Sequence, residues 1–194
     1  MKQRSYKKGN PHRDCRLFVI VAEGEREDEY FSFFNEQNQR IQVKIVPREA
    51  NASAPKHFLE RLDKFKEKGE WIENQGDMLW FVLDVDRWKR EHLEDLIHAT
   101  QISKQWHIAI SNPSFEVWLL YHLCSEINVN ETNLKNLLHQ KVSTGYNRDT
   151  FCTKIAQAME NAKNADTHPN QIFPNIMQTK VYLLALEMLS VLKI

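Results

Sequence analysis

Leu79-Trp80-Phe81-Val82-Leu83-Asp84-Val85-Asp86 is the stretch on which the architecture turns. Five apolar residues run without a break and are followed by acid, apolar, acid. Such a run suits a strand buried on both faces, as in a parallel sheet covered by helices. Periodicity alone does not separate it from a buried helix segment. The aspartates arbitrate, because residues two apart in an extended chain project to the same side. Asp84 and Asp86 then leave the carboxyl end of the strand together, at the edge where open α/β sheets bind ligands. Two carboxylates that close repel unless a proton or a cation intervenes, and hard oxygen donors suit Mg²⁺. The other reading is that one aspartate caps the next helix and its neighbour is solvated.

The flanking sequence supplies the rest of a sheet. Arg16 to Ala22, Ile41 to Val46 and Trp106 to Ile110 read as further strands. Between them lie helical patterns. Glu25 to Phe34 has Tyr30, Phe31 and Phe34 as its stripe. Phe58, Leu62 and Phe65 mark a second helix, started by Ser53 and Pro55, and Leu93, Leu96, Ile97 and Thr100 mark a third. Ser111-Asn112-Pro113-Ser114 reads as a helix start, with Asn112 as a cap rather than a substrate contact, its other reading as a supporting site residue, and Pro113 in the first turn, before an apolar helix over Phe115 to Leu123. The order β-α-β-α-β-α-β predicts an α/β fold with a roughly four-stranded, mainly parallel sheet and right-handed crossovers.

From Asn130 the pattern is helical only, with stripes at Leu134, Leu137 and Leu138, at Phe151, Ile155, Met159 and Ala162, and at Val181, Leu184, Ala185, Met188 and Leu189. Asn164 to Gln178, with Pro169 and Pro174, reads as a loop. The expected organisation is a basic arm over residues 1–14, an α/β core over 15–125 and a helical extension over 126–194, which either packs on the core or forms a homodimer interface.

Composition narrows the function classes. With 42% hydrophobic and 27% charged residues the chain is globular rather than disordered. The formal net charge is zero, so contact with nucleic acid must come from local patches rather than a global field. Three separated cysteines without metal-ligand spacing fit a reducing, cytoplasmic setting. No apolar run approaches the roughly 20 residues of a membrane span. The eight histidines show no zinc spacing, and no phosphate-binding loop, dinucleotide fingerprint or serine nucleophile elbow is present.

Glu23 ends the first strand, so a parallel sheet brings it to the same edge as Asp84 and Asp86. Three carboxylates there suit a divalent metal for phosphoryl transfer. Gly24 beside it suits a tight turn and the close approach of a ligand. Glu116, in the first turn of an apolar helix, needs a partner if buried, either a metal or an arginine such as Arg87. Arg87, Lys89 and Arg90 follow the aspartates and either steady a phosphodiester or form a solvated helix face. Trp88 either stacks on a base or packs.

Val21-Ala22-Glu23-Gly24-Glu25-Arg26-Glu27 with Tyr30-Phe31, Phe81-Val82-Leu83-Asp84-Val85-Asp86, and Ile110-Ser111-Asn112-Pro113-Ser114-Phe115-Glu116-Val117-Trp118 together resemble the RloB-like family of bacterial phage-defence and restriction-linked proteins. More broadly they resemble the Toprim domain of topoisomerases, primases and OLD nucleases. The likeness extends loosely to Thr179-Lys180-Val181-Tyr182. It implies a Toprim-like fold and a nuclease dependent on Mg²⁺ or Mn²⁺ that cleaves RNA or DNA in antiviral defence or abortive infection. It also implies a possible partner ATPase or restriction-system protein. By the same resemblance Glu23 is the general acid/base and Asp84 and Asp86 hold the metal. Glu27 is a second-metal ligand or simply a helix N-terminal acid. The family's basic residue after the tyrosine falls here on Arg148, in Tyr146-Asn147-Arg148. The alternative is a Toprim-like regulatory module that binds a nucleotide or a partner without turnover.

Overall fold

The computed structural model describes residues 15–37, 39–48, 54–85, 90–142 and 145–192. The basic arm, Ser53, Asp86, Arg87, Trp88 and Lys89 lie outside the described residues.

Five strands form one sheet in the order β2-β1-β3-β4-β5: β1 is Arg16–Ala22, β2 Ile41–Ile45, β3 Met78–Asp84, β4 Trp106–Asn112 and β5 Gln178–Thr179. The first four are parallel, with Ile20 opposite both Ile45 and Trp80, and Asp84 opposite Ser111. The expected α/β architecture is therefore present and is compatible with a Toprim-like fold. The fifth strand is antiparallel to β4 and comes from the end of the stretch read as a loop. Two residues carry too little pattern to announce a strand. What makes them one is the edge of β4, whose Ser111 side chain also hydrogen-bonds Thr179 Oγ1 at 2.8 Å.

Alternation along the central strands splits the core in two. Leu17, Val19 and Val21 of β1 and Leu79, Phe81 and Leu83 of β3 pack on one face against Phe58, Leu62 and Phe65 of α3 (Phe58–Glu67) and Leu96 of α4 (Glu94–Ile102). Phe18, Ile20, Trp80 and Val82 face the other way. They share a core with Tyr30 and Phe31 of α1 (Glu25–Ser32), Trp118 of α5 (Glu116–Tyr121), Ala158 of α8 (Ile155–Ala165) and Met188 of α9 (Val181–Leu192). The unbroken apolar runs of β1 and β3 exist because both faces are covered.

Several local expectations are corrected. The helix read over Glu25 to Phe34 is two, α1 and a short α2 (Phe34–Gln37), with Phe33 as the break. The stripe from Phe151 to Ala162 likewise spans α7 (Arg148–Cys152) and α8. β4 runs on through Ser111 to Asn112, and the following helix starts at Glu116, so Pro113 is not in its first turn. Asn112 caps nothing; its side-chain amide donates to the Pro174 carbonyl at 2.9 Å. Pairing with β5 and the contact to Pro174 carry the strand past the point where the local cap signal ends it. No helix among the described residues is long and apolar enough to cross a membrane.

Arg61 fixes the carboxyl edge of the sheet. It is buried, and its guanidinium donates to the Ala22 and Val46 carbonyls, each at 2.9 Å, and to Pro47 O at 3.2 Å. The ends of β1 and β2 are thus held to α3 beside the position where Glu23 emerges.

Candidate functional site

Parallel pairing makes β1 and β3 end at one edge. The ladder continues one step past β1, where Glu23 N–H donates to Val82 O at 3.1 Å. The Glu23 carboxylate then turns across to β3, and its Oε2 accepts the Asp84 backbone N–H at 3.2 Å. Gly24 is the N-cap residue of α1, and one turn on Glu27 points back into the molecule and is buried. After β4, Glu116 opens α5; its Oε2 accepts from Ser114 Oγ at 2.7 Å, and its Oε1 lies 4.0 Å from Lys135 Nζ on α6 (Leu134–Lys141).

These side chains line one open cleft of about 250 Å³, in which Glu23, Glu25, Glu27, Asp84 and Glu116 meet Arg26 and Lys135. Sequence reasoning named four of the acids; Arg26, Ser114 and Lys135 it assigned no role. Lys135 arrives from the helical tail, where no local signal marks it. Asp86 and Arg87 lie outside the described residues. Arg148 does not line the cleft: its guanidinium sits 3.5 Å from Asp149 and over the Phe33 ring. The cation lying over Tyr146 is Arg26, 4.4 Å from the ring centroid.

Electrostatic tension marks the deep part of the cleft. Burial, opposed by a backbone hydrogen bond and reinforced by the charges of Glu23, Asp28 and Glu116, pushes Glu27 up to about 7. Burial, then Glu27 and Glu23, pushes Asp84 up to about 9, against a backbone hydrogen bond from Phe115. Asp84 Oδ1 is buried with no hydrogen-bond partner among the described residues. An unpaired buried carboxylate oxygen costs free energy unless something occupies its lone pairs. Asp28, also raised, belongs elsewhere, since Arg48 Nε binds it at 3.0 Å.

Gly24 makes room for the Glu27 carboxylate rather than supplying a turn conformation. Its backbone is extended, with φ −121°, which any residue adopts. A Cβ there would stand 2.5 Å from Glu27 Oε2, so the buried carboxylate fills the space a side chain would need.

The donor set has the chemistry of a hard-cation site: oxygen ligands only, an orphaned Asp84 oxygen, and carboxylates whose mutual repulsion a cation would relieve. Among the described residues, however, no three side chains of ligand type already stand in metal-binding arrangement.

Thr179-Lys180-Val181-Tyr182 builds a packed anchor away from the cleft. Lys180 Nζ donates to Asp166 Oδ2 and, at 2.8 Å, to His168 O, while Tyr182 donates to Asp166 Oδ2 at 2.8 Å. His122 is a core histidine. Its Nδ1 donates to Trp118 O, which leaves Nε2 to accept from Tyr30 Oη, and burial lowers it to about 4.

No curated protein and no solved structure matches the chain. A family model described as RloB-like protein matches residues 18–188, a span that includes every element lining the cleft. With the match running over most of its length, the chain belongs to the RloB-like protein family.

Proposed function

We propose that the cleft is the centre of a Mg²⁺- or Mn²⁺-dependent nuclease that cleaves RNA or DNA phosphodiesters, acting in bacterial antiviral defence. One observation carries the reading: at the carboxyl edge of the parallel sheet, Asp84 keeps a buried, unpaired Oδ1 among carboxylates that raise it to about 9. A cluster so arranged favours either protons or a hard cation. Asp84, with Asp86, Glu23 and Glu27, would hold the ion. When bound, a divalent ion neutralises phosphate oxygens and makes water a better nucleophile.

The chain's own groups supply the proton transfers. Glu23 is half-buried at the mouth of the cleft and acts as general acid/base, taking the proton of the attacking water or giving one to the leaving oxygen. The Asp84 N–H bond to Oε2 orients that carboxylate. Lys135 and Arg26 lie where they offset the charge of an incoming phosphate.

The experiment combines thermal melting under Mg²⁺ and Mn²⁺ titration with cleavage of a panel of labelled RNAs and DNAs. Metal-dependent cleavage lost in Glu23→Gln and Asp84→Asn, with both variants folded, is the expected result. Full activity in both refutes it. A second reading, a regulatory module that binds a nucleotide or a partner protein without turnover, is favoured by the balanced net charge. Metal stabilisation without cleavage of any substrate would support that one. A partner ATPase or restriction-system protein, a homodimer and a cytoplasmic setting are parts of the same proposal, and co-purification and sedimentation test the first two.

A further inference from the structure

The carboxylate cleft continues outward along α6. A second cavity of about 390 Å³ shares Glu25, Arg26, Glu116 and Lys135 with it and reaches Leu138, His139, Gly145 and Tyr146. The character of the wall changes along this path. The inner part is carboxylate. The shared part adds a guanidinium and an ammonium, and the outer part offers an imidazole, an aliphatic side chain and a phenol ring. The Arg26 guanidinium lies over that ring, 4.4 Å from its centroid, so a cation and an aromatic face are already in contact. Lys135 has 81% of its side chain exposed, and its ammonium stands 4.0 Å from Glu116. An exposed pair at that distance contributes little, so the ammonium is free to meet a second anion.

We infer that this groove holds the nucleotides flanking the cleaved phosphate of a single-stranded nucleic acid, with Lys135 and Arg26 on phosphates and the Arg26–Tyr146 pair as a stacking platform for an unpaired base. The inference rests on the reading of the cleft as a phosphodiester-cleaving centre and adds the state of the strand it accepts. A base presents its face to an aromatic or guanidinium plane only when it is unpaired. A cavity of this volume lies in the range of about 300–1,000 Å³ that takes one small ligand, which suits a nucleotide and not a base-paired duplex. With zero net charge, contact with a strand falls to local cations such as Arg26 and Lys135. Set beside an acidic cleft, they let a polyanion approach carboxylates that would otherwise repel it.

Binding measured without metal separates this inference from the nuclease reading. Fluorescence anisotropy in EDTA at low salt compares short labelled single strands of RNA and DNA with a duplex of equal length. The wild type is expected to bind single strands more tightly than duplex. Arg26→Ala with Lys135→Ala, both at exposed positions, should weaken single-strand binding by about tenfold. The same pair should lower the slope of log affinity against log salt by roughly 1.4, from about 0.7 per phosphate contact. Arg26→Lys keeps the charge and loses the plane, so it should fall between the two. Tyr146→Leu removes the aromatic face and should weaken single-strand binding while leaving the salt slope unchanged. Undiminished binding by the double variant, equal or tighter binding of duplex, or no binding by the wild type overturns the inference. If strand binding behaves as expected and no metal supports cleavage, the groove stands and the nuclease reading falls. If cleavage occurs with a KM that the double variant leaves unchanged, the nuclease reading stands and the groove falls.

Discussion

Replacing Asp84 with asparagine isolates the electrostatic tension in the cleft. In the metal-free protein, burial and then the charges of Glu27 and Glu23 raise the Asp84 carboxyl from 3.8 to about 9. The folded chain therefore keeps a proton there that the unfolded chain releases. Stability tied to this group is complete below the unfolded value and is lost as pH rises from 3.8 toward about 9, at about 1.4 kcal/mol per pH unit. By neutrality roughly three units have been crossed, a ceiling of about 4 kcal/mol. Glu27, raised to about 7, shares the same field, so the cluster titrates together and relief of one carboxyl is spread over both. About 2 kcal/mol is therefore expected for Asp84→Asn at neutral pH. For a chain of this length that raises Tm by roughly 4–8 °C. The assay is thermal melting in EDTA across acid to alkaline buffers. The gain should vanish in acid and widen as pH rises, and added Mg²⁺ should stabilise the wild type while leaving the variant nearly unchanged. Equal melting at neutral pH, or a gain that shrinks as pH rises, would mean that burial and the neighbouring carboxylates do not hold a proton on Asp84.

Two structural predictions accompany it. Gly24→Ala puts a methyl against Glu27 Oε2 on a backbone that tolerates alanine, so the loss should fall on the site: about 1 kcal/mol of stability and most of the Mg²⁺-induced rise in Tm. An unchanged Mg²⁺ response would show that the Glu27 carboxylate is not needed where it lies. Lys180→Met leaves Asp166 buried without its cation and should cost about 3–5 kcal/mol in urea denaturation, only part of it recovered by adding Asp166→Leu, which also takes the acceptor from Tyr182. A single variant within about 1 kcal/mol of the wild type would mean the pair contributes nothing beyond its desolvation.

What the sequence determined alone is whatever neighbouring residues encode. The apolar runs of β1 and β3 announced buried parallel strands, because the solvent exclusion that shapes them acts on consecutive residues. The acid after each run announced that both carboxylates reach the same edge, because parallel strands in register end together. The meeting of Glu23 with Asp84 followed from those two facts, although 61 residues separate them. Where a feature depends on a distant partner, the sequence fell silent or misled. Ser111-Asn112-Pro113 has the composition of a helix start, yet β5 and Pro174 hold Ser111 and Asn112 in the sheet. From its own neighbours Glu27 read as a helix N-terminal acid, with a metal-ligand role given only by resemblance; its burial beneath Gly24 came from the tertiary structure. Lys135 and Tyr146 sit in a tail whose pattern speaks only of helix stripes. Tertiary packing of that tail against α1 and α5 turned a row of acids into a cleft with a cationic, aromatic exit, since charge and ring placement across elements are decided by packing rather than by spacing along the chain.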